Sequence, residues 1–253
     1  GERMRYEELA AATNFSFLRG ASHPDEMVAT AARLGLAAIG IADRNTLAGV
    51  VRAHVAAKAQ GVRLLVGARL APEDGPEILC YPTDRAAYGR LCRLLSVGKM
   101  RADKGDCALD LADVAAHAQG QIFVVLPPEA PGPGFADELR DLAARLKRVP
   151  TRLNRNGSVI ARPERPKQSS DMAHGTGLLH FVRNDGFGAD STRTETALKA
   201  DGGAPVYLAA HNHLNGDDRA RLARLAEIAK RARIPLIATN DVLYHDPARR
   251  PLQ

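Results

Sequence analysis

Seven short apolar runs, most of them separated by stretches of helical periodicity, constrain the fold of this chain more than any other feature. They are Glu8 to Ala12, Ala37 to Ala42, Arg63 to Leu70, Glu77 to Tyr81, Gln121 to Leu126, Val206 to Ala210 and Leu236 to Thr239. Each is too short for an ordinary helix and reads as a buried strand. Strands that alternate with helices imply a mainly parallel sheet with helices packed outside, as a barrel or a doubly wound sheet. One connection breaks the alternation. Only Ala71 to Pro76 joins the third and fourth runs, too short for a crossover helix, so that pair reads as a hairpin or a corner.

The helices announce themselves by spacing and punctuation. The first is expected from Ser22, with Asp25 three residues on and Pro24 in the first turn, and Gly35 to stop it. The second is expected over Asn45 to Gln60, with Leu47, Val50, Val51 and Val55 inward and Gly61 at its end. A third follows Thr83, with Ala87, Leu91, Leu94 and Leu95 on its buried face. Asp110 to Ala118 reads as a shorter helix, Phe135 to Arg148 as a strongly amphipathic one, and Asp217 to Arg233 as a helix with arginines outward. No GxGxxG follows the first strand, so a dinucleotide fold has no positive support.

Two of the runs stop on an aspartate, Asp43 and Asp241. Carboxylates at the C-terminal ends of parallel strands are where α/β barrels place metal ligands and catalytic groups. Their neighbours suit a metal poorly, since Arg44 follows the first and Leu243 lies two positions past the second. The three cysteines, Cys80, Cys92 and Cys107, have no CxxC spacing and suggest neither a disulfide framework nor a thiolate zinc site, which fits a reducing, cytoplasmic setting. No run approaches the length of a membrane span, so no membrane partner is expected. A formal charge of +6 permits nucleic-acid contact without demanding it, and no basic stripe interleaved with aromatics is visible.

Residues 151–200 depart from the rhythm. Apolar residues fall to 15 of 50, eight lysines and arginines stand against five acids, and no periodicity is sustained. The segment reads as an irregular inserted loop. Val159 to Ser170 and Gly177 to Gly186 resemble the peptide made when a bacterial palindromic repeat element is read in frame. A lineage-specific loop with a binding role is the other reading.

Four stretches carry a family resemblance: Asn14 to Pro24, Gly40 to Gly49, Val66 to Leu70 and Thr239 to His245. In order, spacing and wording they resemble the amino-terminal PHP (polymerase and histidinol phosphatase) domain of bacterial error-prone DNA polymerases, C-family enzymes related to the DNA polymerase III alpha subunit. The resemblance covers residues 5–148 and 204–253. It implies a distorted, TIM-like barrel of seven β/α units spanning residues 4–253, with 151–200 inserted. It implies too that the chain is the front of a longer polymerase used in damage-tolerant, translesion synthesis. The partners would be the remainder of that polymerase, DNA and damage-tolerance accessory proteins.

Active PHP domains hold divalent metals through His, Asp and Glu at strand ends, and the metal cluster activates water for attack on a phosphoester. The resemblance places the first His-x-His motif at Ala10 and Ala12, the histidine after Asp43 at Arg44, a glutamate at Arg69 and a final histidine at Leu243. Asp43, Asp241 and, as a substitute two residues on, His245 are the metal-ligand candidates that remain. Arg44 and Arg69 are expected to pair with Asp43 or Asp241 and turn the cavity into a salt-bridged plug, so no catalytic residue and no cofactor is expected. His211-Asn212-His213 has the form of a metal pair, or of an ordinary exposed loop; His54 is expected in the core; His23 is expected to orient a helix start; Tyr88 and Tyr244 are expected to pack. Three functions compete: a non-catalytic structural domain of a polymerase, a phosphoesterase or 3′-5′ exonuclease using Zn, Mn or Mg, and a remnant of a disrupted polymerase gene.

Overall fold

The computed structural model describes residues 6–148, 204–211 and 218–246. The expected insertion at 151–200, His213 and the last seven residues lie outside the described residues. Seven strands form one curled sheet in the order β1 to β7: Glu8–Ala11, Ala38–Arg44, Arg63–Leu70, Ile78–Pro82, Gln121–Val125, Val206–Ala210 and Leu236–Ala238. Neighbours are parallel except β4, which is antiparallel to both β3 and β5, so the seven-residue connection between Leu70 and Ile78 is a hairpin corner. The result is a distorted barrel.

Among the described residues, six helices accompany the strands: α1 (Pro24–Arg33), α2 (Val50–Gln60), α3 (Arg85–Arg101), α4 (Leu111–Ala116), α5 (Phe135–Lys147) and α6 (Asp218–Ala232). The faces read for α3 and α5 are the buried ones: Ala87, Leu91, Leu94 and Leu95 on α3, and Phe135, Leu139, Leu142 and Leu146 on α5. Each such large side chain contributes roughly 1.5–3 kcal/mol on leaving water. These helices share one core with the outward faces of β3 to β6.

Two expectations about the early helices are corrected. The first helix begins at Pro24, because Ser22 is buried and spends its hydroxyl on the His245 N–H, 2.9 Å away. The second begins at Val50, because Asn45 takes a left-handed φ of 51° and ties β2 to β3 instead. Its N–H donates to the Arg69 carbonyl at 2.8 Å, and its side-chain oxygen accepts from Ala71 N–H at 3.0 Å. The inward face of α2 also differs: Ala53 and Ala57 are buried, whereas Val51 and Val55 are 74% and 64% exposed. α1 and α2 pack closely, and small residues allow that approach. His54 is exposed, not a core residue.

Inside the barrel, Tyr81 fills the space between Gly40 and Gly67. A Cβ on Gly67 would stand 2.4 Å from the tyrosine ring, and one on Gly40 would stand 2.6 Å from its hydroxyl. That hydroxyl donates to the Leu9 carbonyl, and burial pushes its pKa up.

β1 and β7 meet without a ladder between them. Glu8, buried within an apolar strand, accepts from Thr239 Oγ1 at 2.6 Å and from Asn240 N–H at 3.1 Å. It also accepts from Ala10 N–H at 2.7 Å and from the Tyr6 hydroxyl at 2.5 Å. Ala12 N–H then donates to the Val242 carbonyl at 2.8 Å. One carboxylate therefore supplies acceptors that a missing strand pair would have supplied.

Candidate functional site

The C-terminal ends of the parallel strands form the barrel mouth. The register there pairs Asp43 with Ala68 and Arg44 with Arg69. Successive strand residues point to opposite faces. Both arginines therefore face the barrel interior, on the side of Leu65, Leu79 and Tyr81, while Asp43 faces outward with Ile39 and Ile41.

That alternation decides the partners of Asp43: of the two aspartates expected to pair with an arginine, Asp241 does so and Asp43 does not. Asp43 is 1% exposed and accepts from Thr13 N–H at 2.7 Å, Thr13 Oγ1 at 2.7 Å and Ser16 Oγ at 2.6 Å. Ser16 Oγ in turn accepts from Arg44 N–H at 3.0 Å. Asp43 thus fastens the loop after β1 to the end of β2. Gly49, just before α2, lies so close that a Cβ there would stand 3.1 Å from Asp43 Oδ2.

The interior side holds a network of five charges drawn from distant parts of the chain. Arg69, 1% exposed, pairs with Asp241 and, at 3.2 Å, with Glu77. Arg19 reaches the same two carboxylates, each at 3.3 Å. Arg44 pairs with Glu77 at 3.4 Å, its side chain 55% exposed. Burial alone would raise the Asp241 carboxyl. The Arg69 guanidinium, helped by Arg19 and His211, holds it below the ordinary carboxylate range. The chain turns at Asp241 with a φ of 51°, a conformation aspartate adopts more readily than most residues.

Arg19, Arg69, Glu77 and Asp241 line a cleft of about 450 Å³ at the mouth, together with His211, Phe135 and Glu138. His211 is buried, and its carbonyl accepts from Arg221 at 3.1 Å. His245 belongs elsewhere. Its Nδ1 lies 2.7 Å from Ser22 Oγ and 3.7 Å from Glu26 Oε2, at the start of α1. His23 precedes that helix, and its N–H donates to Glu26 at 2.8 Å.

A resident divalent metal does not fit this donor set. Among the described residues, no group of three or more His, Cys, Asp and Glu is arranged to hold an ion. Ala10 and Ala12 are fully buried and offer no donor. Asp241 and Glu77 already neutralise guanidinium groups, and the fixed charge of Arg69 would repel a cation placed beside it.

The sequence reading missed Arg19, Glu77, Glu8, Thr13 and Ser16. Two left a signal: Glu8 and Glu77 each stand at the start of an apolar run, where a charge must find partners if it is buried.

The model of the PHP domain family matches residues 8–154. The chain is similar to an error-prone DNA polymerase of Rhodopseudomonas palustris strain BisA53, at 48% identity over 98% of the chain and 21% of the relative. It is similar to those of Caulobacter vibrioides and Brucella abortus at 41% and 44% identity, again over 98% of the chain and 18% of each relative. The chain thus spans about a fifth of the length of these relatives. Among solved structures, a putative metal-dependent phosphoesterase from Bifidobacterium adolescentis superposes with a TM-score of 0.52 at 15% identity, covering 96% of this chain and 89% of that one. At that identity the likeness is one of fold.

Proposed function

Because the chain belongs to the PHP domain family, we propose that it serves as the PHP domain of an error-prone DNA polymerase engaged in damage-tolerant synthesis, and that it is a structural unit without phosphoesterase chemistry of its own. In this reading the domain reaches from residue 4 to residue 253, with 151–200 inserted. It braces the polymerase body and lies near the DNA that body copies. Asp43 and Asp241 are remnants of a donor set, His245 is engaged with Ser22 and Glu26 instead of replacing the lost histidine, and Arg44 and Arg69 are the replacements that made a metal unnecessary.

The observation that carries this reading is the buried Arg69 guanidinium held between Asp241 and Glu77. In a metal-dependent phosphoesterase, cations at the strand ends polarise the phosphoryl oxygen and lower the pKa of a bound water. Here an amino-acid cation, which has no open coordination position and does not acidify a water as a metal does, occupies the interior side of the mouth. The network still does mechanical work. It ties together the loop after β1, the ends of β2 and β3, the start of β4 and the turn after β7. Such a buried pair fixes geometry more than it adds stability.

Two experiments test the reading separately. The purified chain, supplied with Mn²⁺ or Zn²⁺, is assayed on a phosphodiester and on 3′-labelled single-stranded DNA. The expected hydrolysis is indistinguishable from buffer, and turnover abolished by chelation and restored by metal overturns the non-catalytic part. Reading the frame beyond the Gln253 codon tests the polymerase part. A continuous frame carrying the palm carboxylates of a polymerase is expected, and an immediate stop contradicts it.

A further inference from the structure

The fold assembles a basic surface that the linear sequence does not display. α5 and α6 are packed against each other, and both run from the barrel mouth toward its opposite end. Phe135 and Glu138, at the start of α5, line the mouth cleft, and Arg221, near the start of α6, bonds to His211 there. The last turns of both helices therefore lie together at the base. They carry Arg145, Lys147 and Arg148 from the first, and Lys230, Arg231 and Arg233 from the second, all exposed. Among the described residues none of the six forms an ion pair. Only Asp141 and Glu227 supply negative charge on the same turns.

A cation at a helix C-terminus complements the macrodipole, but that effect is confined to the last turn and is worth about 0.3–1 kcal/mol. It favours each of these cations locally but does not offset the mutual repulsion of six on adjoining ends. Concentrated like charge of this kind is costly unless a polyanion meets it. We propose that this base surface binds the phosphodiester backbone of nucleic acid, without sequence preference, on the side of the domain opposite the mouth. The choice of DNA as the polyanion rests on the polymerase reading above; the location of the surface does not.

Such contacts release condensed counterions, so affinity falls steeply with salt, by a log–log slope of about −0.9 per phosphate neutralised on duplex and about −0.7 on single strands. The test uses the whole chain and fluorescein-labelled single-stranded and duplex DNA at about 50–200 mM salt. The variant K147E/R148E/K230E/R231E reverses the surface. A control, R52E/K58E/R93E/K104E, makes the same change in net charge on other exposed positions. Thermal melts establish that both are folded. The expected result is binding that weakens at least tenfold, with a shallower salt slope, in the first variant only. Equal weakening in both would assign the effect to net charge and overturn the proposal. No binding by the parent chain at low salt would overturn it too. Neither outcome touches the polymerase reading, which the downstream frame decides.

Discussion

The guanidinium of Arg69 and the carboxylate of Asp241 are bonded to each other across 172 residues of sequence, on the interior side of the barrel mouth. Arg69 is almost wholly withdrawn from water, while Asp241 and Glu77 keep partial solvent contact. This geometry makes the arginine costly to remove. With R69M, Asp241 and Glu77 keep Arg19 but lose their most buried cationic partner, and the end of β3 loses both ion pairs that Arg69 makes. Breaking a buried pair from one side costs about 3–5 kcal/mol, and the partial exposure of the partners places this case at roughly 2–4. In a denaturation cycle with D241N, the double variant should lose at least about 1 kcal/mol less than the sum of the singles. Strict additivity would mean that the pair is not coupled.

Asp241 should also make acid stability asymmetric. Its folded pKa is held below the ordinary value of 3.8 by Arg69 and Arg19, against the opposing effect of burial. A depressed folded pKa stabilises the native state above the unfolded pKa, and that stabilisation disappears as pH falls through the folded value. The stability gap between the parent chain and D241N should be constant from about pH 7 to 5 and should shrink below about pH 4. Urea denaturation at stepped pH measures it. A gap that widens on acidification contradicts the assignment.

Glu8 fastens the barrel seam. Replacing it with glutamine turns one acceptor oxygen into a donor, which then faces either the Ala10 N–H and Thr239 Oγ1 or the Asn240 N–H and the Tyr6 hydroxyl. E8Q should destabilise the chain by roughly 1–3 kcal/mol, the cost of leaving buried donors unpaired. Amide hydrogen exchange at Asn240 should quicken selectively. Uniform acceleration across the sheet, or none, would show that the seam is held by something else.

The packing of Tyr81 makes a steric prediction. G67A places a methyl group 2.4 Å from the ring, in a sheet position where neither side can retreat. Overpacking of this kind costs typically about 1–3 kcal/mol. Y81F removes the bond to the Leu9 carbonyl and should cost about 1 kcal/mol. The combination G67A/Y81L, which makes room for the methyl, should lose less than G67A and Y81L summed.

Much of this architecture was legible in the residues because strands buried on both faces leave continuous apolar runs. The corner at 71–76 was legible because a crossover needs more chain than six residues. α3 and α5 were readable because their large apolar side chains recur on one stripe. α2 misled for the opposite reason: its buried contacts are alanines and its valines are outside, so size was a poor guide to direction. At the mouth, the residues at the expected donor positions could be read one by one, but their partners could not. Leaving Asp43 and Asp241 as equal candidates for an arginine partner overlooked the strand alternation that turns Asp43 outward and Arg44 inward. Arg19 and Glu77 were missed because only the three-dimensional curl of the sheet brings a loop arginine and a strand-edge glutamate to the same point. The basic base surface was invisible for the same reason, since its two halves are separated by more than eighty residues in the chain.

Metal content is the most searching test of the view that ion pairs have taken the place of a metal centre. The chain, expressed with Zn, Mn and Fe in the medium and purified without chelator, is analysed for metal per mole of protein. The ion-pair network predicts far less than one equivalent of any divalent ion, and no loss of thermal stability on exhaustive chelation. Two or three tightly held ions per chain, whose removal lowers the melting temperature, would contradict it.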